Sequence, residues 1–230
     1  MLFLNPALAA DCVQVGNLTW EVKTDDGGLR DKDNRYFWYD TLLVNNNGNP
    51  GQLGQVGQGC TGNISCDTKS YMQAVNAQNL CGHGDWRMPT WEEMQSLINR
   101  NNSPTIDLSL FPNTVNGAYW TAATHADDNG RAWYIDFGSG NEQHDFKSLA
   151  SYVRLVRGDK AAPRCVTLGA LMWEVKSGRG TLQAFDNRYT WYNTLIADNN
   201  GAPGTQRQVG QGCTGAVQCD TQHYSQTVFY

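Results

Sequence analysis

Histidines and carboxylates are the side chains of this chain whose types and spacing could support metal or acid–base chemistry. The four histidines are His83, His125, His144 and His223. His125 and His144 could approach each other across neighbouring strands, and two imidazoles in contact can bind a transition metal. Histidines in polar loops are more often simply hydrated, so we expect no metal site there.

Asp127, Asp128 and Asn129 form a run of oxygen-bearing side chains that calcium could use. The run lacks the spaced ligands of a calcium-binding loop, so we expect a hydrated turn. The chain also has no nucleophile elbow, zinc-protease helix, phosphate-binding loop or dinucleotide fingerprint. We therefore expect a protein without catalytic residues, metal or cofactor that is not an enzyme.

Seven cysteines are present, and four of them, Cys12, Cys60, Cys66 and Cys81, fall in the first two thirds of the chain. An even set favours disulfides and an oxidising compartment. No CxxC pair occurs, which weakens a zinc or redox interpretation. Cys60 and Cys66 are close in sequence and are expected to pair, which leaves Cys12 for Cys81.

The remaining cysteines belong to a repeat with an offset of 153 positions. Cys12, Trp20, Cys60 and Cys66 recur as Cys165, Trp173, Cys213 and Cys219. Solenoid repeats run ~20–50 residues, so this unit is a whole domain used in tandem. We expect a complete domain at 12–158, a linker at 159–164 and the first part of a truncated second copy at 165–230, in which Cys213 and Cys219 pair.

The first ten residues, MLFLNPALAA, are apolar and end in small side chains. They resemble the end of a secretory signal with cleavage near Ala9 or Ala10, although an apolar first strand is the alternative. No other run is long enough to cross a membrane, so we expect no membrane insertion. The formal net charge of −5 argues against nucleic acid as a partner. The expected location is secreted, periplasmic or at the cell surface.

Two helices are expected. Asp67 or Thr68 can cap a helix that runs to about Asn79. Thr90 followed by Glu93 is a capping box that begins a second helix, whose buried stripe is expected to be Met94, Leu97 and Ile98. Arg87 precedes this helix, and we expect its guanidinium to bind carbonyls or a carboxylate of its own fold rather than a ligand.

Alternating apolar residues predict strands. The first lies within 12–23, around Leu18, Trp20 and Val22. Four more, at 118–123, 131–137, 141–147 and 151–157, predict a twisted antiparallel meander. The class is therefore α+β, with two helices and a sheet supplied mainly by the second half of the domain.

Four motifs resemble those of the Lcl C-terminal-like domain family, which is named for a bacterial collagen-like adhesin. They are WRMPT at 86–90, YWT at 119–121, AWYIDF at 132–137 and VRLVR at 153–157. The resemblance implies a C-type-lectin-like fold related to formylglycine-generating enzymes. It also implies a secreted or surface-attached bacterial binding domain. The enzymes of this fold use cysteines near the domain end, and this domain has none between Cys81 and Cys165.

The copy in the collagen-like adhesin binds sulfated glycans, so the resemblance implies a ligand-binding domain. Similar domains also serve as variable proteins of diversity-generating retroelements, with hypervariable positions in the segment that matches 124–152 here. This segment is chemically mixed, and its residues are expected in loops and at outward strand positions. The candidate ligand-binding residues are His125, Asp127, Asp128, Arg131, Tyr134, Gln143, His144, Asp145, Phe146 and Tyr152.

We expect a secreted or cell-surface, non-enzymatic domain that binds a glycan or a protein surface, in the manner of an adhesin or lectin. The acidic balance argues against a preference for sulfated glycans, which need basic clusters. A structural subunit of an extracellular array or filament is the alternative that the repeat supports equally well. An extracellular enzyme is the least favoured interpretation.

Overall fold

The computed structural model describes residues 11–158, 164–168, 171–175 and 204–205. This part of the chain is mixed α+β, with short helices and small antiparallel sheets. The strands are β1 (Cys12–Val15), β2 (Leu18–Glu21), β3 (Tyr36–Phe37), β4 (Ala118–Thr124), β5 (Arg131–Asp136), β6 (Asn141–Phe146), β7 (Ala150–Ser151), β8 (Val156–Arg157), β9 (Arg164–Leu168) and β10 (Leu171–Val175). The helices are α1 (Leu43–Asn46), α2 (Thr68–Ala77) and α3 (Trp91–Gln95).

The chain opens with a hairpin rather than with the single strand that the sequence predicted. β1 and β2 pair antiparallel, with Cys12 opposite Glu21. The turn between them contains Gly16, whose φ of 62° is a left-handed conformation that suits glycine. The Gly16–Asn17 pair is a turn signal that the alternation had obscured.

The same pairing recurs one repeat later. β9 and β10 pair antiparallel with Cys165 opposite Glu174, which is the register of Cys12 and Glu21 shifted by the repeat offset. Arg164, predicted as the last linker residue, is the first residue of β9. The predicted signal segment, Cys213 and Cys219 lie outside the described residues.

The largest sheet has the order β4-β5-β6 and confirms the first three strands of the predicted meander. Its two faces meet two different hydrophobic clusters. Trp133 and Ile135 of β5 pack in a cluster with Met94 of α3. Ala132 of the same strand belongs to the other cluster, together with Tyr71 of α2. Each face of the sheet is therefore partly covered by one of the two clusters.

The predicted fourth strand of the meander is wrong. β7 pairs with β3, and β8 pairs with β2, so both ends of the 150–157 segment belong to smaller sheets. Only Tyr152 keeps a single bridge to β4, opposite Tyr119. Alternation with Val153 and Leu155 in the predicted strand would turn Arg154 outward, yet this side chain is fully buried. Its guanidinium donates to the Glu21 carbonyl oxygen at 2.7 Å and to Thr114 Oγ1 at 2.8 Å. These hydrogen bonds hold the 150–157 segment in the interior, where Arg154 joins β2 to the loop before β4.

Both predicted helices are present. Asp67 caps α2 by accepting from the Ser70 N–H at 2.8 Å. Thr90 and Glu93 form the predicted capping box of α3. The α3 helix ends at Gln95, so Leu97 and Ile98 follow it rather than lie on it. The single turn α1 was not predicted.

The predicted contacts of Arg87 with its own fold are confirmed. Its guanidinium binds both Glu93 carboxylate oxygens at 2.7 Å and the Gly158 carbonyl oxygen at 3.1 Å. The fork therefore ties the start of α3 to the end of the domain.

The two disulfides predicted for the first copy are confirmed. Cys12 bonds Cys81 and Cys60 bonds Cys66. The first joins β1 to the segment after α2, across a sequence separation of 69. Two disulfides indicate that the protein folds in an oxidising compartment outside the cytoplasm.

Candidate functional site

The strand register divides the predicted site residues between the two faces of the β4–β6 sheet. Residues directly opposite in an antiparallel pair share a face. Arg131 lies opposite Phe146 and Trp133 opposite His144, whereas Tyr134 lies opposite Gln143. Asp145, opposite Ala132, belongs with Tyr134 and Gln143. These residues were predicted as a single candidate set, and the structure places them on two faces of the sheet.

On the first face, five side chains form what we call the His–Phe patch: His125, Arg131, Trp133, His144 and Phe146. The His125 and His144 ring centres lie 4.3 Å apart. Trp133 is buried beneath both of them, with ring-centre distances of 5.2 Å to His125 and 4.9 Å to His144. The Phe146 ring is 47% exposed at the rim. The patch therefore presents half-buried imidazoles and an exposed ring on a rigid aromatic base.

A chain of contacts connects the histidines to the rim of the patch. His125 Nδ1 accepts from the Asp128 N–H at 3.2 Å. The Asp128 carboxylate accepts from Arg131 Nε at 3.0 Å. The Arg131 guanidinium lies 4.1 Å from the centre of the Phe146 ring, which is a cation–π contact. The β4–β5 turn thus fixes the orientation of both rim residues.

The opposite face carries Tyr134, Gln143 and Asp145. The Tyr134 hydroxyl donates to Gln143 Oε1 at 3.1 Å, and its ring meets Trp120 edge to face. Burial, with the nearby Asp145 and Asp136 carboxylates, raises the pKa of Tyr134, so the phenol stays protonated. This face is a second, separate candidate surface.

Two of the predicted residues lie apart from both sets. Tyr152 pairs with Tyr119 across an isolated bridge, and the two rings are 5.3 Å apart. Asp127 lies exposed in the β4–β5 turn.

His125 and His144 make the approach that the sequence had suggested. In residues 11–158 and the shorter described segments, no group of three or more histidine, cysteine or acidic side chains could hold a metal ion. Within the same residues, no helix is long and apolar enough to cross a membrane.

Lys147 is a residue that the sequence analysis missed. Its ammonium donates to the carbonyl oxygens of Asn46 at 3.2 Å and Asn49 at 2.7 Å, and it lies 4.0 Å from the Trp38 ring centre. Burial lowers the pKa of Lys147 to about 7, although the charges of Asp40 and Asp128 raise it. A lysine after a half-exposed strand normally faces solvent, so no local pattern indicates that Lys147 is buried.

The loop that Lys147 holds also supports the His–Phe patch. Thr124 Oγ1 donates to the Asn45 carbonyl oxygen at 2.7 Å, and Asn129 Nδ2 donates to the Asn47 carbonyl oxygen at 2.9 Å. The segment 42–51, which we call the Asn loop, therefore supports the β4–β5 turn through these two hydrogen bonds.

On its other side the Asn loop borders a cavity of about 340 Å³, which the sequence analysis also missed. The cavity walls come from four separate parts of the chain, so no local pattern reveals it. The lining residues are Tyr39, Asp40, Thr41, Leu42, Asn45, Thr68, Lys69, Met72, Arg87, Met88 and Ala122.

These features define a disulfide-bonded α+β domain with a mixed, partly aromatic surface built on an antiparallel sheet. Residues 14–157 match the family model of the Lcl C-terminal domain. The chain belongs to this family, as the sequence motifs had indicated. No curated protein and no solved structure matches the chain.

Proposed function

We propose that this protein is a secreted or cell-surface binding domain with a C-type-lectin-like fold, that it is not an enzyme, and that its His–Phe patch contacts a glycan or a protein surface. The observation that carries the proposal is the Arg131–Phe146 pair. The half-exposed Phe146 ring and the Arg131 guanidinium are in contact at the rim of the sheet, and the Asp128 carboxylate forms an ion pair with Arg131. Aromatic and arginine side chains in such positions combine contact area with directional hydrogen bonds.

The surroundings of the pair favour binding over an ordinary hydrated face. Trp133 and the two histidines form a rigid base, so few side chains would lose freedom when a ligand binds. The two disulfides agree with a protein that functions outside the cytoplasm, where it would encounter glycans and protein surfaces.

The test is a glycan array and an extracellular-protein array probed with the whole chain. For the strongest hit, two double variants separate the faces: R131A with F146A on the His–Phe patch, and Q143A with D145A on the opposite face. We expect the first to weaken binding at least about tenfold, as for truncated interface anchors, and the second to leave it unchanged. Binding that only the second double variant weakens would move the site to the opposite face, and no hit on either array would contradict the proposal.

A further inference from the structure

The cavity beside the Asn loop has the composition of a small-molecule site separate from the His–Phe patch. Its volume of about 340 Å³ falls in the range of ligand pockets, roughly 300–1,000 Å³. Its apolar wall consists of Leu42, Met72, Met88 and Ala122. Leu42 is 60% exposed, so its side chain is accessible to a ligand from solvent. Methionine side chains adapt their shape, so this wall can close around an aliphatic or aromatic body.

Hydrogen bonds already hold the polar parts of the walls in place. Thr68 Oγ1 accepts from the Tyr39 N–H at 2.9 Å and donates to the Tyr39 carbonyl oxygen at 2.8 Å. The Asp40 carboxylate accepts from the Leu42 N–H at 2.8 Å and from Asn45 Nδ2 at 2.7 Å. The cavity is therefore preorganised on its polar side, which reduces the entropic cost of binding.

The charged residues that line the cavity indicate the sign of the charge on the ligand's head group. The Arg87 charge is neutralised by Glu93, and the Asp40 carboxylate is engaged by two donors. Lys69 differs, because among the described residues its ammonium donates to Thr41 Oγ1 alone, at 2.6 Å. In the part of the chain that the structure describes, no carboxylate forms an ion pair with Lys69. Lys69 is thus the cation at this cavity that is left for an external anion.

We propose that this cavity binds a small amphipathic anion, with its apolar body between Met72 and Met88 and its anionic group at the Lys69 ammonium. The proposal does not depend on the function of the His–Phe patch. It predicts a ligand such as a medium-chain carboxylate, in which one negative charge ends an apolar chain.

The repeat indicates which residues set this chemistry. At the paired positions the second copy keeps the framework residues of the cavity, with Tyr192, Thr194, Leu195 and Thr221 for Tyr39, Thr41, Leu42 and Thr68. It replaces Asp40, Lys69 and Met72 with Asn193, Gln222 and Ser225, and it carries Asp198 in place of Asn45. K69Q and M72S are therefore substitutions that the repeat itself contains at the paired positions.

The experiment follows the methyl groups of the methionines by NMR in the whole chain, which contains five. Met72 and Met88 report on the cavity, and the fully buried Met94 is an internal control. Octanoate is the probe, with octylammonium and 1-octanol as probes of opposite and zero charge. We expect octanoate to shift the Met72 and Met88 signals but not that of Met94, and octylammonium to bind at least about fivefold more weakly.

Variants test the two halves of the proposal separately. We expect K69Q to weaken octanoate about fivefold and to leave 1-octanol unchanged, whereas M72S weakens both about tenfold. The double variant R131A with F146A is the control and is expected to bind octanoate normally. The proposal is overturned if octanoate does not shift Met72 and Met88, if octylammonium binds equally well, or if K69Q binds octanoate like the parent chain.

Discussion

The Lys147 ammonium nitrogen lies 4.0 Å from the centre of the Trp38 ring. Lys147 is the residue that immediately follows β6. Lys147 is only 2% exposed and Trp38 only 1%. The ammonium also binds two carbonyl oxygens of the Asn loop. One buried side chain therefore joins the sheet to the loop that supports the His–Phe patch and borders the cavity. A cation in this position has consequences for stability that can be measured.

The stability of the protein should rise with pH through the range in which Lys147 titrates. Burial lowers the pKa of Lys147 from 10.5 in the unfolded chain to about 7 in the folded one. Below pH 7 both states are protonated, so the full cost of burying the charge is present. Between the two pKa values the unfolded state binds more protons, and the free energy of unfolding should increase by about 1 kcal/mol per pH unit.

The measurement is urea unfolding at pH 6.5, 7.5 and 8.5, with K147M as the matched variant. Methionine has a similar length and cannot be protonated, so its stability should change less with pH. Equal pH slopes in the parent chain and K147M would show that Lys147 is not the titrating group.

The two disulfides should contribute unequally to stability. In the chain-entropy model, the stabilisation grows with the length of the closed loop. The separation of 69 residues between Cys12 and Cys81 corresponds to about 4 kcal/mol, and the separation of 6 between Cys60 and Cys66 to about 2 kcal/mol. We expect this order in chemical unfolding of C12A/C81A and C60A/C66A. A larger loss in C60A/C66A would show that local strain or packing, rather than loop entropy, dominates.

Features that depend on local sequence were predictable. The Thr90–Glu93 capping box, the Asp67 cap and the pairing of Cys60 with Cys66 each involve residues at most six positions apart. Their physical causes, which are unsatisfied helix N–H groups and short loop closure, can be read from neighbouring residues.

Apart from the Cys12–Cys81 pairing, which followed by elimination, contacts between distant residues were not predictable. Arg154 has the sequence context of an outward strand residue, but its partner Glu21 lies 133 positions away. Lys147 likewise finds Asn46 and Asn49 about a hundred positions earlier. The division of the candidate site between two faces also depended on the register of β5 and β6, since a shift of one residue exchanges the faces.

Replacing Arg87 should destabilise the domain by about 3 kcal/mol. Its bidentate partner Glu93 is only 9% exposed, so R87A leaves a nearly buried carboxylate without its cation. R87K should cost less, because the charge remains while the planar fork is lost. E93Q is the matched control, since glutamine can still complete the capping box. Unfolding free energies ordered R87A, R87K and E93Q from largest to smallest loss would agree with this reasoning, and a neutral R87A would contradict it.

Gly51 should be the more sensitive of two glycines in similar backbone conformations. Its φ is 87°, and a Cβ there would lie 2.2 Å from the Trp38 carbonyl oxygen and 3.1 Å from Lys147 Cδ. Gly57 has a φ of 76°, but a Cβ there would meet nothing within 4 Å. G57A should therefore cost only the left-handed strain, about 1 kcal/mol. G51A adds a backbone collision and should cost about 3–4 kcal/mol. Because the collision displaces the Asn loop, G51A should also weaken octanoate binding and G57A should not. Equal unfolding free energies for the two variants would mean that the Trp38–Lys147 contact does not fix the Asn loop.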